Sequence, residues 1–162
     1  MVSLDRVKSN ANICSIEIAF NGDSIPSVIG TWQPFYNSFE RSDFTPAYTT
    51  LSSVSFLEES INNAAGTFYK QKVVFSFPSN DSKRAERIAL LQKMKFIKLT
   101  LTEGESILIG RNDYKQNKKP EVNVKTNHHL CEVSIESTSI FPSGFTKEII
   151  MNNLPTFLPF GL

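Results

Sequence analysis

The sequence predicts a mainly β protein with one helix: an antiparallel sandwich or small barrel covered by that short helix. Two observations carry this. Apolar and polar residues alternate with period two around Ile13 to Phe20, Lys72 to Phe77, Phe96 to Thr102 and Leu130 to Ile140, while only the stretch after Ser82 has helical spacing. Asn-Gly, Glu-Gly and Pro residues mark the ends of the alternating runs.

The first strand runs from Ile13 to Phe20. Cys14, Ile16, Ile18 and Phe20 form its apolar row, with Ser15, Glu17 and Ala19 opposite. Asn21-Gly22-Asp23 ends it, since Asn and Gly tolerate the positive φ of a tight turn. From Ser24 to Ala65 the period disappears, and Trp32, Phe35, Tyr36, Phe39, Phe44, Tyr48 and Phe56 are scattered among Pro26, Pro34 and Pro46. A structureless loop of this length is uncommon inside a domain. Either part of it is strand, with Tyr48 to Phe56 the best candidate, or it is an arm whose aromatics another subunit buries.

Regularity returns at Thr67, and Val73, Phe75 and Phe77 alternate up to Pro78. Ser79-Asn80-Asp81-Ser82 offers side-chain oxygens to cap a helix from about Ser82 to Lys95, with Ile88, Leu90, Leu91 and Met94 on its apolar face. The strand Phe96 to Thr102 carries Ile97, Leu99 and Leu101 in one row and Lys98, Thr100 and Thr102 in the other. Glu103-Gly104-Glu105 reads as a three-residue hairpin turn, which would set Leu101 opposite Ile107 and Leu99 opposite Ile109. A lysine-rich loop (Arg111 to Pro120), a short edge-like strand (Glu121 to Lys125) and a strong strand from Leu130 follow, the last with Cys131, Val133 and Ile135 in its apolar row. The tail contains Ile149, Ile150, Met151, Leu154, Phe157, Leu158, Phe160 and Leu162, an apolar segment expected to dock on its own domain or on a neighbour. The expected organisation is one domain over 1–162, with a core at 13–23 and 66–142, an extended arm at 24–65 and a C-terminal tail at 143–162.

With 40% hydrophobic and 20% charged residues, the composition fits an ordered globular chain. No apolar run approaches the roughly 20 residues of a spanning helix, and the start lacks the basic-then-apolar order of a secretory signal, so no membrane partner is expected and synthesis in a cytoplasm is. The net charge of +1 hides a basic cluster. Lys83, Arg84, Arg87, Lys93, Lys95 and Lys98 face the single acid Glu86, and Arg111, Lys115, Lys118 and Lys119 follow in the loop. Such a patch could meet nucleic acid or an acidic protein surface, or be a solvated face.

Catalytic chemistry is not indicated, and no catalytic residue, metal or cofactor is expected. His128-His129 are adjacent, so on a strand they would point to opposite faces and could not share a metal. His129 and Cys131 would share a face and form a crude hydrolase pair, but burial of the thiol is the simpler reading, for Cys131 as for Cys14. Glu58-Glu59 reads as a solvated pair, and the glycines are dispersed instead of forming a phosphate loop.

The order of motifs has a counterpart. Gly66-Thr67-Phe68-Tyr69-Lys70-Gln71-Lys72-Val73 leads into a strand; a short helix follows with Ile88-Ala89-Leu90-Leu91. Then come Phe96-Ile97-Lys98-Leu99-Thr100 with the Glu103-Gly104 turn and Ile109-Gly110, and a strand ending Ser137-Thr138-Ser139-Ile140-Phe141-Pro142. This series resembles small virion proteins of tailed phages that infect Bacteroides-type hosts, including the crAss-like group. The resemblance covers roughly half the chain and does not extend to Ser24 to Ala65 or to the tail. It implies a virion subunit of the neck or tail, in a ring that joins portal to tail or lines the DNA conduit, with no catalytic residues. The expected partners are copies of the chain itself, neighbouring virion proteins and, transiently, phage DNA. The assembly contacts would be the arm aromatics with Phe157, Leu158 and Phe160. The alternative is a monomeric surface- or carbohydrate-binding sandwich using Trp32, Tyr36 and Tyr48 as stacking platforms.

Overall fold

The computed structural model describes residues 12–20, 44–102, 104–110, 112–116, 118–143 and 145–146. They form two antiparallel sheets. One has the order β2-β1-β5-β6-β9, made of β1 (Ile13–Ala19), β2 (Thr45–Pro46), β5 (Phe96–Leu101), β6 (Ser106–Ile109) and β9 (Phe145–Thr146). The other has the order β3-β4-β8-β7, made of β3 (Ser55–Asn63), β4 (Gly66–Pro78), β7 (Glu121–Thr126) and β8 (Leu130–Ser139). The single α-helix among the described residues, α1 (Arg84–Leu91), leaves β4 and feeds β5, so it links the sheets at one end of the sandwich. The expected mainly β fold with one helix is what forms; the two sheets do not close into a barrel.

The alternation read from the sequence supplies the core. Val73, Phe75 and Phe77 of β4 sit opposite Ile135, Val133 and Cys131 of β8, and all six are fully buried. Ile16, Ile18, Ile97, Leu99 and Ile109 of the first sheet join the same cluster. Burial of each large apolar side chain contributes about 1.5–3 kcal/mol before ordering entropy is subtracted. The helix adds Leu91, with Ile88 packed at its margin, and Met94 follows just beyond the helix end.

The helix is shorter than its spacing suggested. Its last amides tighten to i→i+3 bonds, Lys93 to Leu90 and Met94 to Leu91, and Lys95 N–H then donates to Ala19 O at 2.8 Å, handing the chain to the first sheet. Leu90, expected on the apolar face, is half exposed. The cap also differs: the residue at the cap position, Lys83, makes no side-chain cap bond. Asp81 acts earlier, accepting Lys83 N–H on its carboxylate and Arg84 N–H on its backbone carbonyl.

The expected arm at 24–65 includes β2, a 3-10 turn at Leu51–Ser53 and the nine-residue β3, so from Thr45 onward it belongs to the sheets; 24–43 and the tail from 147 lie outside the described residues. Cys14 is exposed, because a bulge between Ile13 and Ser15 shifts the β1–β5 register and puts Ile13 against the core instead. The β5–β6 hairpin has a three-residue loop one position earlier than expected. Leu101 N–H donates to Glu105 O, Gly104 takes φ +89°, and Leu99 pairs with Ile107 and Ile97 with Ile109. The apolar rows still join.

The outer face of the first sheet is not a plain solvent face. Ala19, Phe44, Phe96 and Leu108 form a second buried cluster there. Lys98, which alternation would place in water, is only 9% exposed; its Nζ lies 2.6 Å from Glu17, its cross-strand neighbour, and 4.9 Å from the centre of the Phe44 ring.

Candidate interaction surfaces

The aromatic residues expected to be assembly contacts divide. Phe44 belongs to the second buried cluster and Phe56 packs at the edge of the main core, so both are used by their own domain. Tyr48 remains half exposed, but the Arg87 guanidinium lies 3.8 Å from its ring centre and Phe77 meets it edge-on at 6.1 Å. Trp32, Phe35, Tyr36, Phe39, Phe157, Leu158 and Phe160 lie outside the described residues.

The basic residues do not form one face. Lys98 is paired on the outer side of the first sheet, and Lys95 is buried, donating from Nζ to Lys118 O at 3.1 Å. Burial, followed by repulsion from Lys119, holds the Lys95 ammonium below the ordinary lysine range. Arg87 is bound to the Asp81 carboxylate, and Lys115 lies 2.7 Å from Glu121. Lys83, Arg84 and Lys93 around the helix, and Lys118 and Lys119 in the loop, are exposed. Arg111 lies outside the described residues. The continuous patch suggested by the sequence is thus divided, because strand pleating and burial remove its central members.

The chemistry-bearing residues are also placed differently. His128 and His129 sit in the turn between β7 and β8, where Asn127 Oδ1 accepts the amides of His129 and Leu130, and their rings approach to 3.8 Å instead of pointing apart. Cys131 is fully buried and accepts a 3.5 Å contact from Thr126 Oγ1. Among the described residues, no group of three His, Cys, Asp or Glu side chains is arranged to hold a metal ion. Glu58 and Glu59 separate by strand alternation. Glu58 turns inward, accepting Gln71 Nε2 at 2.9 Å and Ser143 N–H at 2.8 Å, while Glu59 is exposed. Gln71 Oε1 in turn accepts the Ser137 hydroxyl at 3.2 Å, so a polar chain continues the inner layer beyond the apolar core.

Sequence reading missed the surface at the far end of β3 and β4. Alternation from the buried Val73 places Leu57, Glu59 and Ile61 of β3 and Phe68 and Lys70 of β4 in the outward row. Leu57 is 54% and Ile61 37% exposed. Ile61 is the cross-strand neighbour of Phe68, whose ring stacks on that of Tyr114 at 4.5 Å. An apolar corner thus adjoins a polar field in which Lys70 and Lys72 both approach Glu136, at 3.3 and 3.5 Å. The sequence carries no alternating signal there, because Glu59 shares the outward row with Leu57 and Ile61 and Phe56 shares the inward row with Glu58, Ser60 and Asn62.

Compared with protein-family models, curated proteins and solved structures, the chain matches none. Among the described residues, no helix is long and apolar enough to cross a membrane.

Proposed function

We propose that the chain is a structural subunit of an oligomeric virion ring in the neck or tail of a tailed phage, one that joins portal to tail or lines the DNA conduit. The observation that carries this reading is the long β3–β4 hairpin, which holds Ile61 outward beside the stacked Phe68 and Tyr114, with Leu57 exposed on the same face beyond Glu59. An exposed apolar corner such as Ile61, Phe68 and Tyr114 on a paired hairpin suits a protein interface. The resemblance of the Gly66 to Pro142 segment to small phage virion proteins points the same way. The partners are then further copies of the chain and adjoining virion proteins, with Lys83, Arg84, Lys93, Lys118 and Lys119 the exposed cations through which DNA could be touched.

The monomeric binding-module reading gains less support. Of its three stacking residues only Tyr48 is among the described residues, and Arg87 already occupies one face of that ring.

Electron microscopy of the purified chain at micromolar concentration tests the proposal. Closed rings of uniform diameter are expected; a field of isolated particles of about the 18.2 kDa monomer mass contradicts the ring and favours the module.

A further inference from the structure

We infer that neighbouring copies of the chain join by edge pairing, the β3 strand of one copy adding to the β7 strand of the next so that the four-stranded sheet continues across the interface. This rests on the ring reading above and specifies its contact.

Both strands are edges. The sheet order ends at β3 on one side and β7 on the other, and no backbone hydrogen bond among the described residues reaches the outer side of either. An edge of nine residues with Leu57 and Ile61 exposed is a ready template for another strand. Its direction is settled by topology: every neighbouring pair in β3-β4-β8-β7 is antiparallel, so β3 and β7 run oppositely. A copy placed head to tail therefore presents its β3 antiparallel to β7 with both sheets facing the same way.

Charge and parity select β7 over a second β3 as the occupant. The nine residues of β3 carry Glu58 and Glu59 and no base, and Glu59 is its central residue. Two β3 strands meeting in full overlap about a two-fold axis would put Glu59 directly against Glu59, a destabilising like-charge pair. The stretch from Lys115 to Lys125 carries Lys115, Lys118, Lys119 and Lys125 against Glu121. With Lys125 set opposite Glu59, all six residues of β7 fall within β3. Val122, Val124 and Thr126, the inward row of β7, then meet Asn62, Ser60 and Glu58, the inward row of β3. Glu59 and Lys125 are both exposed, and neither makes an ion pair among the described residues. One edge thus offers a carboxylate and the other an ammonium, each exposed and flanked within its own sheet by the opposite charge, Lys70 beside Glu59 and Glu132 beside Lys125.

The test uses the full chain with Cys14→Ser as background, to remove the exposed native thiol. Directly opposed residues of antiparallel strands have Cα separations suited to a disulfide, so Glu59→Cys with Lys125→Cys in one chain should oxidise to a ladder of covalent multimers. Glu59→Cys alone should give no such ladder. In parallel, Glu59→Lys and Lys125→Glu should each weaken assembly at least tenfold by sedimentation, and the double charge swap should restore it. Far-UV circular dichroism and the unfolding midpoint verify that each variant folds. Assemblies that form normally in every variant, with no cross-link, overturn the edge pairing and leave the ring reading standing. A Glu59→Cys dimer formed efficiently on its own also overturns it, in favour of a two-fold contact. A parent protein that is monomeric at all concentrations removes the ring and the edge pairing together.

Discussion

The Arg87 guanidinium lies 3.8 Å from the centre of the Tyr48 ring while its Nε is bound to the Asp81 carboxylate. This one side chain ties the helix to the segment before β3 and to the turn that precedes the helix. Helix α1 has only eight residues, too short to be stable on its own, so its position depends on such tertiary contacts. A double-mutant cycle with Tyr48→Ala and Arg87→Ala should give a coupling energy of about 0.5–1 kcal/mol. Additive effects in urea denaturation would show that the stacking carries no energy.

Asp81 gives this junction an acid sensitivity. The Lys83 amide, followed by the Arg87 side chain, holds its carboxyl below the ordinary aspartate range. A depressed folded-state value means that the unfolded chain takes up the proton first. The contribution is therefore complete above the unfolded pKa of about 4 and is lost as pH falls through the lower folded value. Asp81→Asn should be less stable than the parent at neutral pH, and the difference should shrink under acid. A difference that is equal at neutral pH and about pH 2 would contradict this assignment.

Glycine is required more at one turn than at another. Gly110 adopts φ +124°, and a Cβ there would come within 2.3 Å of Lys95 O and 2.9 Å of the Phe96 ring. Gly104 adopts φ +89° but faces open space. Gly104→Ala should cost about 1 kcal/mol through backbone strain alone, and Gly110→Ala clearly more, because Lys95 O is part of the chain leading into β5. Equal unfolding midpoints for the two variants would contradict the close approach.

The cysteines should differ in reactivity. A thiol reagent should titrate Cys14 in the native protein and reach Cys131 only on unfolding, since Cys131 is fully buried between β4 and β7. Cys14→Ala should be close to neutral, and Cys131→Ala should cost about 1 kcal/mol as a small core truncation. Two thiols reacting at the same rate in the native state would contradict this placement.

The strands that were legible in the sequence are those whose buried row is apolar and whose other row is polar, such as Val73, Phe75 and Phe77 in β4 and Cys131, Val133 and Ile135 in β8. Strand β3 was illegible for the opposite reason. Its inward row beyond Phe56 is Glu58, Ser60 and Asn62: Glu58 joins the polar chain through Gln71 and Ser137, Asn62 accepts the Thr67 hydroxyl, and Ser60 and Asn62 are exposed, while Leu57 and Ile61 point out. Each row mixes apolar and polar residues, Leu57 and Ile61 with Glu59 outward and Phe56 with Glu58, Ser60 and Asn62 inward, so hydropathy carries no period of two there. Cys14 was misplaced because a bulge is a property of two strands together, and the bulge moves Ile13 inward in its stead. The basic cluster was misread because linear spacing does not reveal that Lys98 and Lys95 are buried by neighbours distant in sequence, Glu17 and Phe44 for one and the 118–119 loop for the other.

The measurement that bears most directly on the proposed role is the mass of the full chain in solution by sedimentation velocity over a wide concentration range. A discrete multimer is expected, with a mass that is an integer multiple of 18.2 kDa and that persists on dilution into the micromolar range. A single species at 18.2 kDa at every concentration would contradict it.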